Sequence, residues 1–366
     1  MDSLTQAVLG SAMGALVLGH KLGRRALGWG VAFGTLPDLD ALLMPFFDTR
    51  WDLRLHRGPT HSLLLIVLLS FLLAKPLAKA WKREKVSPQQ AGIFVFLALG
   101  THVLIDVFTV YGTQIAWPFS SYPYSLDNLF IVDPVFTLPL LVAAIWGCFL
   151  DFPKWKKGRG LKVTAVAVAI SSLYAGLSLG ARAAMKANFE ADLARRGLKW
   201  ERTMTAPAPM GILLWRCVVE REGDFWVGYR SLFDGERAVT WTIYQKEAGT
   251  LEKWTRRPEV AEVRRFSKDW CLARQTADGV WLMDLRFGEW RNWDAKGVAL
   301  RPIFAWELRE ETRDDPMKPT ESKRKDPGKA TKRMWQRAVG NATEWDDRPR
   351  LIGNPSRSSE YLGVLE

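Results

Sequence analysis

The sequence is poor in histidine and cysteine, two side chains that commonly bind transition metals. It has four histidines and three cysteines among 366 residues. Cys148, Cys217 and Cys271 form no CxxC pair and no zinc-ribbon spacing, which argues against a thiolate metal site. All four histidines lie within the first 102 residues, and the second half also lacks a recognisable nucleophile motif or phosphate-binding loop. Any chemistry is therefore expected in the first half.

Positive charge is abundant, with 51 Lys and Arg against 39 Asp and Glu and a net charge of +12. Such an excess can indicate nucleic-acid binding. Much of it, however, lies in short loops between apolar segments, where the positive-inside rule for membrane proteins accounts for it. Nucleic acid is therefore not the expected partner, and no feature of the sequence identifies a protein partner.

A mean hydropathy of −0.08 conceals two unlike halves. Up to about residue 184 the chain is mostly apolar, and six stretches approach the roughly 20 residues that cross a bilayer core. They span about 4–19, 27–44, 62–80, 90–110, 131–150 and 161–181. We predict an α-helical membrane domain over residues 1–184 with about six transmembrane helices. The first stretch should be retained, because its positive charges follow it instead of preceding it as in a signal peptide.

Loop charges predict the orientation of this domain. The loops Lys21–Arg25, Lys75–Lys85 and Lys154–Lys162 are basic, whereas those at 45–61 and 111–130 are mixed or nearly neutral. This alternation predicts six crossings of a bacterial inner membrane with both termini on the periplasmic side.

The second half is predicted to be a mainly-β soluble domain over residues 185–310. After a helix at about 181–197, runs such as Ile212–Val219, Phe225–Leu232, Val239–Tyr244 and Val280–Leu285 are rich in strand-forming residues and separated by turn signals. We expect an antiparallel sheet of about five to seven strands. Residues 311–366 are rich in Pro, Lys, Arg and Asp, which predicts a flexible C-terminal extension.

Histidines and aspartates meet at the predicted membrane edges. The segments Leu36-Pro37-Asp38-Leu39-Asp40, His56-Arg57-Gly58-Pro59-Thr60-His61-Ser62 and His102-Val103-Leu104-Ile105-Asp106, together with Asp133, fall toward the outer face in the predicted topology. On a helix, a spacing of four residues places His102 and Asp106 on one face. Imidazole and carboxylate together suit Zn²⁺ or Mn²⁺. The expected ligands are Asp38, Asp40, His61, His102, Asp106 and Asp133, with room for two ions. His56 is a further candidate ligand.

Each feature also has an ordinary structural interpretation. His102 and Asp106 could be a hydrogen-bonded pair within one helix, and Asp38 could stabilise the turn after Pro37. Thr60 or Ser62 could cap the next helix. Two aspartates two residues apart in an apolar context favour a cation, because like charges repel without one. His20 lies beside a basic loop and is assigned no role, and Asp127 is a weaker candidate than Asp133.

The combined motifs resemble the bacterial YdjM-like family, described as inner-membrane-bound, metal-dependent hydrolases. The resemblance spans roughly residues 1–150. It rests on Met1-Asp2-Ser3-Leu4-Thr5-Gln6-Ala7, on the Asp38, His56 and His102 segments quoted above, and on Tyr111-Gly112-Thr113, Trp117-Pro118-Phe119-Ser120 and Ile131-Val132-Asp133-Pro134. Many relatives have His where this chain has Gln6, so an early ligand is either missing or replaced by the amide oxygen. The mixed His/Asp ligands are more distantly similar to those of zinc-dependent phospholipase C and P1-type nucleases.

The resemblance implies hydrolysis by metal-activated water. A site at the outer interface would meet membrane lipids and an amphipathic or lipid-linked phosphoester. A second metal ion or Arg57 would stabilise developing negative charge, and any unligated Asp or His, His56 among them, would act as general base. A membrane-anchored scaffold or regulator with a structural metal is the alternative. A transporter is less favoured, because the ligands lie at one face and not at the midplane.

If the second half is periplasmic, Cys217 and Cys271 occupy an oxidising compartment, where a disulfide and two separate buried thiols are both open alternatives.

We predict that alkaline phosphatase fused to the C-terminus is active and that the same enzyme fused after Lys85 is inactive, because it requires the oxidising periplasm. The measurement is phosphatase activity of whole cells at matched fusion levels. The reverse pattern would place the His/Asp cluster on the cytoplasmic face.

Overall fold

The N-terminal half of the protein is helical and the C-terminal half is mainly β. The computed structural model describes residues 1–43, 46–209, 211–276, 279–290, 301–309, 317–319, 327–341 and 350–352. The helices are α1 (Ser3–Leu22), α2 (Arg25–Thr35), α3 (Thr49–Leu55), α4 (Leu63–Ala80), α5 (Pro88–Val107), α6 (Pro134–Cys148), α7 (Phe152–Lys156), α8 (Arg159–Arg195), α9 (Pro258–Ser267) and α10 (Pro327–Ala338). The strands are β1 (Arg202–Pro207), β2 (Leu214–Arg221), β3 (Asp224–Ser231), β4 (Trp241–Tyr244), β5 (Cys271–Gln275), β6 (Gly279–Trp290), β7 (Arg301–Arg309), β8 (Met317–Pro319) and β9 (Arg350–Ile352).

The chain divides into two compact units. The first comprises Met1–Phe47, Arg54–Leu126 and Ile131–Ser178, and the second comprises Asp48–Leu53, Asp127–Phe130 and Leu179–Glu366. A helical first unit and a mainly-β second unit confirm the predicted order of fold classes. The domain boundaries expected from composition stay predictions.

Within the described residues, three helices are long and apolar enough to cross a membrane: α4, α5 and α8. The apolar α6 is shorter, at 15 residues. The six crossings expected from the sequence therefore stay a prediction. Helix α8 joins the sixth apolar stretch and the helix expected at about 181–197 into one helix of 37 residues. Its sequence has no proline that would end it sooner.

The second apolar stretch, expected at about 27–44, is not one continuous helix. Helix α2 ends at Thr35, and a 3-10 helix follows at Pro37–Leu42. Pro37 lacks the backbone N–H that would continue the α-helical hydrogen bonding. Asp38 and Asp40, two of the predicted ligands, lie on this 3-10 helix, so the change of helix type determines where their side chains point.

Glycines let α1 and α2 pack backbone against backbone. A Cβ atom added at Gly10 would lie 2.4 Å from the carbonyl oxygen of Gly30 and 2.5 Å from the Cα of Gly34. A Cβ atom added at Gly14 would lie 2.1 Å from the carbonyl oxygen of Ala26. Small residues at a helix interface permit this close approach in membrane proteins. The close packing fixes the C-terminal end of α2, where Gly34 lies.

The predicted strands form, but in two sheets instead of the single sheet we expected. One sheet has the order β1-β2-β3-β4-β9 and the other β5-β6-β7-β8. Neighbouring strands are antiparallel except for β4 and β9, which are parallel. Strand patterns in a sequence identify strands without fixing their partners, and α9 here separates β4 from β5. The C-terminal part of α8 covers the first sheet with Phe189 and Leu193, which pack among buried tryptophans.

The predicted C-terminal extension at 311–366 lies largely outside the described residues. Helix α10 is described, and its Arg337 guanidinium binds the Asp234 carboxylate at 2.7 Å. Cys148, Cys217 and Cys271 are free cysteines in the structure, which agrees with the alternative of separate thiols. Burial raises the pKa of the Cys217 thiol to about 12.

We predict that Gly30→Ala destabilises the protein by about 1–3 kcal/mol, because the new methyl group would overlap the backbone of α1. Its Cβ would lie 2.2 Å from the Gly10 carbonyl oxygen. Gly28→Ala is the matched control in the same helix, since its Cβ would meet nothing within 4 Å. The measurement is the unfolding midpoint in detergent. Equal midpoints for the two variants would contradict the close packing.

Candidate metal centre

Four side chains from three places in the first unit converge on one point: Asp38, His61, His102 and Asp106, with one ligand atom from each within 4.8 Å of all the others. Asp38 lies on the 3-10 helix that follows α2, and His61 ends a second 3-10 helix, Pro59–His61. His102 and Asp106 lie one turn apart on α5. Ser62 follows His61 and caps α4 by accepting a hydrogen bond from the Leu65 amide at 3.1 Å, so the ordinary capping interpretation of Ser62 is also confirmed.

The spacing of these donor atoms suits a tetrahedral ion. The Nε2 atoms of His61 and His102 are 3.2 Å apart. Asp38 Oδ1 lies 3.4 Å from each Nε2 atom. Asp106 Oδ2 lies 3.4 Å from His61 Nε2 and 3.6 Å from His102 Nε2. Ligands about 2.0–2.1 Å from a tetrahedral metal are separated by about 3.3–3.4 Å, as for nitrogen and oxygen ligands of zinc.

Hydrogen bonds on the far side of each imidazole set its tautomer. His102 Nδ1 lies 2.6 Å from the Gly34 carbonyl oxygen, which can only accept. The Thr60 hydroxyl donates to Asp40 Oδ2 at 2.9 Å, so its oxygen accepts from His61 Nδ1, also at 2.9 Å. In both neutral rings the proton is therefore on Nδ1, and the lone pair on Nε2 faces the other three donor atoms.

Asp106 presents its two oxygens to different surroundings. Oδ1 contacts the amino group of Met1, accepts a hydrogen bond from Gln6 Nε2 at 2.9 Å and lies 3.4 Å from the Arg57 guanidinium. Oδ2 is buried, faces the imidazoles and has no hydrogen-bond partner. An ionised oxygen buried without a donor is costly. A cation between the four donor atoms would satisfy Asp106 Oδ2 and both imidazole lone pairs together.

The Asp38 carboxyl is suited to the same role. Its Oδ1 atom lies 3.4 Å from both Nε2 atoms, as a second ligand of the same ion would, and the side chain is 23% exposed. A carboxylate binds a metal ion in its ionised form. The four donors fit a divalent ion such as Zn²⁺ or Mn²⁺. The part of the chain that the structure describes contains this one group, and a second ion stays a prediction.

Asp40 and His56 lie beside the four-donor group, and neither belongs to it. The Asp40 carboxylate lies 3.1 Å from His56 Nδ1 and accepts a hydrogen bond from the Arg57 backbone N–H at 3.2 Å. It also lies 3.7 Å from His61 Nδ1, as a carboxylate behind a metal-binding histidine does. The His56 ring packs edge-on against Tyr111, with centroids 5.3 Å apart. A direct ligand role for Asp40 or His56 stays a prediction.

Arg57 lies behind Asp106. Its side chain is 5% exposed, donates to the Thr109 hydroxyl at 3.3 Å and stacks 4.6 Å from the Tyr111 ring centroid. Its backbone has a φ of 54°, an uncommon conformation for a residue with a side chain. In this conformation the Arg57 backbone N–H donates to the Asp40 carboxylate. The guanidinium neutralises Asp106 and holds its orientation.

The remaining candidates have other partners. Asp133 caps α6 by accepting from the amides of Val135 and Phe136, at 3.1 and 3.3 Å, and accepts from the Tyr174 hydroxyl at 2.8 Å. A role for Asp133 as a metal ligand stays a prediction. Asp127 lies 3.8 Å from the Arg182 guanidinium in the second unit. His20 is exposed in the last turn of α1.

Sequence reasoning missed the groups that orient the ligands. Gly34 contributes a backbone carbonyl, for which no side-chain pattern gives a signal. Gln6 was predicted either to leave a ligand missing or to replace it with its oxygen. Its nitrogen donates to Asp106, and its oxygen is buried without a hydrogen-bond partner, so both alternatives stay predictions. The only signal for Thr60 was its place in the motif between His56 and His61.

We predict that replacing His61 and Asp106 together with Ala removes most of the bound zinc or manganese while the protein stays in the membrane, since half of the donors are lost. Metal is measured by elemental analysis after purification in detergent. His20→Ala is the matched control and should keep the wild-type content, because His20 lies outside the group. Full occupancy in the double variant would contradict the assignment.

Comparison with known proteins agrees with the motifs. The family model described as YdjM inner membrane protein matches residues 1–185 and so includes every residue of the site. The uncharacterized protein YfhP of Bacillus subtilis (strain 168) is 30% identical over 154 residues, which cover 40% of this chain and 46% of YfhP. The match therefore spans about half of that relative. No solved structure matches the chain. The resemblance to phospholipase C and P1-type nucleases stays a prediction. The chain belongs to the YdjM family of inner membrane proteins.

Proposed function

We propose that this protein is a membrane-bound, metal-dependent hydrolase that cleaves a phosphoester in an amphipathic or lipid-linked substrate. The single observation that supports it most is the convergence of two imidazole nitrogens and two carboxylate oxygens, one of which, Asp106 Oδ2, is buried without a hydrogen-bond partner. Asp38, His61, His102 and Asp106 would hold the ion. When bound, Zn²⁺ or Mn²⁺ acts as a Lewis acid and lowers the pKa of water toward about 7.

His56 is suited to move the proton in this reaction. Its ring centroid lies 6.5 Å from that of His61, so it stands next to the donor group without joining it. Asp40 binds His56 Nδ1 and thereby leaves Nε2 as the basic nitrogen. A carboxylate that orients an imidazole in this way is the arrangement of the serine hydrolase triad. The His56 side chain is 22% exposed, so substrate and water can reach it.

The surroundings of Asp38 favour an amphipathic substrate. The same 3-10 helix exposes Leu39 and Leu42, at 49% and 68% of their surfaces, and Leu43 follows at 55%. Apolar side chains beside a charged site suit a molecule with an acyl chain and a phosphate, or the surface of the membrane itself. Arg57 acts through Asp106 in this proposal, and its direct contact with substrate stays a prediction.

The proposed site lies at the periplasmic surface of the inner membrane. Family membership and three apolar helices support a membrane location. The basic loops support a multi-pass arrangement with the C-terminal domain in the periplasm.

A membrane-anchored scaffold or regulator with a structural metal is the second candidate. Four protein ligands are the usual number in a structural zinc site, whereas a catalytic site keeps one position open. Removal of the metal by a chelator would distinguish the two functions. A scaffold would lose thermal stability with its metal and hydrolyse nothing, whereas a hydrolase would lose activity that returns with added metal.

We predict that the detergent-purified protein hydrolyses bis(para-nitrophenyl) phosphate or a phospholipid, because the site would activate water next to a bound phosphoester. Release of nitrophenol or of the phospholipid headgroup is measured before chelation, after it and after addition of Zn²⁺ or Mn²⁺. His102→Ala serves as the matched inactive variant. Hydrolysis that survives both chelation and His102→Ala would come from a contaminant and would contradict the proposal.

We predict that His56→Ala keeps the wild-type metal content and lowers hydrolysis about 10²-fold or more, since general acid–base groups contribute on that scale. The pH profile of the wild type should lose its His-dependent limb in the variant. His20→Ala is the control for a lost imidazole elsewhere in the same unit. Loss of metal in His56→Ala would instead make His56 a ligand.

A further inference from the structure

The four donor side chains differ in burial and in the hydrogen bonds that fix their positions. His102 is fixed by the Gly34 carbonyl, and His61 by Thr60. Asp106 is fixed through its second oxygen by Gln6 and Arg57. The side chains of His61, His102 and Asp106 are all 0% exposed. These three donors form a rigid, buried set of two imidazoles and one carboxylate.

Asp38 is more exposed than the other three donors and has fewer contacts that fix its side chain. Its side chain is 23% exposed. Its contacts within the described residues are with the two imidazoles of the site, and neither a backbone amide nor a cationic side chain donates to it. It also stands on a short 3-10 helix with exposed leucines on both sides. A rotation about its side-chain bonds would move its carboxylate toward solvent without disturbing the buried ligands.

We propose that Asp38 is an exchangeable ligand that closes the site at rest and leaves it when an anionic oxygen of the substrate enters. The inference rests on the proposed function and assigns the side from which a phosphate group enters. It also explains how a site with four protein ligands can serve catalysis. Two imidazoles and one carboxylate, with the fourth position open, match the ligand set of known catalytic zinc sites.

The test uses the full-length protein in detergent, loaded with Co²⁺, whose visible absorption reports coordination number and ligand exchange. Inorganic phosphate is the probe. We expect Asp38→Ala to retain one ion with an affinity reduced about 10–100-fold, whereas Asp106→Ala loses the ion. We also expect phosphate to change the wild-type spectrum and to bind at least tenfold more tightly to Asp38→Ala, because no carboxylate then has to be displaced.

Asp151→Asn controls for the simple loss of a negative charge, since Asp151 is an exposed residue just before α7 and pairs with Lys154 instead of with the donor group. It should bind phosphate within about threefold of the wild type, given the screening of charges that make no direct contact. If Asp38→Ala elutes as an aggregate, Asp38→Asn replaces it, because the amide keeps the shape of the carboxylate.

Three outcomes would contradict the inference, and each can be told apart from the others. Equal loss of metal from the Asp38 and Asp106 variants, both eluting as the wild type does, would make the four ligands equivalent and overturn the inference. A phosphate-insensitive spectrum in both the wild type and Asp38→Ala would overturn it as well, while leaving the metal site in place. A wild type that binds no metal would overturn the proposed function and the inference with it.

Discussion

Two imidazole nitrogens that face each other with their lone pairs are the constraint on which the rest of this structure depends. His61 Nε2 and His102 Nε2 are 3.2 Å apart, and neither can donate when its ring is neutral with the proton on Nδ1. Two carboxylate oxygens approach the same point. In a buried place such an arrangement is repulsive without a cation, because no water replaces the missing donors. A bound metal ion would remove this repulsion by accepting the lone pairs of all four donor atoms.

The surrounding helices hold this arrangement in place. The glycine contacts between α1 and α2 bring Gly34 to the position from which its carbonyl binds His102. Helix α1 also supplies Gln6, and the loop before α4 supplies Arg57, so Asp106 is supported from two directions. A buried polar network favours one structure only when each of its polar groups has a hydrogen-bond or metal partner. The packing of the helices therefore determines whether the donor groups of the site are correctly oriented.

The candidate site and the family match both lie in the first half of the chain. Every residue proposed to act on substrate lies before residue 107, and the family match ends at residue 185. The second unit has a tryptophan-rich core beneath its first sheet and contains no histidine. Nothing in the shared family region assigns a task to this unit.

The sequence alone determined the division into an apolar helical half and a mainly-β half, because hydropathy and residue period are local properties. It also placed His102 and Asp106 on one face of a helix, since that follows from a four-residue spacing. Tertiary structure decided the rest. Asp38 and Asp40 are equivalent candidates in the sequence, yet the 3-10 helix sends Asp38 to the donors and Asp40 to His56, because the direction of each side chain depends on the local helix type. The partners of the strands and the carbonyl that orients His102 depend on contacts between distant segments, which no local pattern encodes.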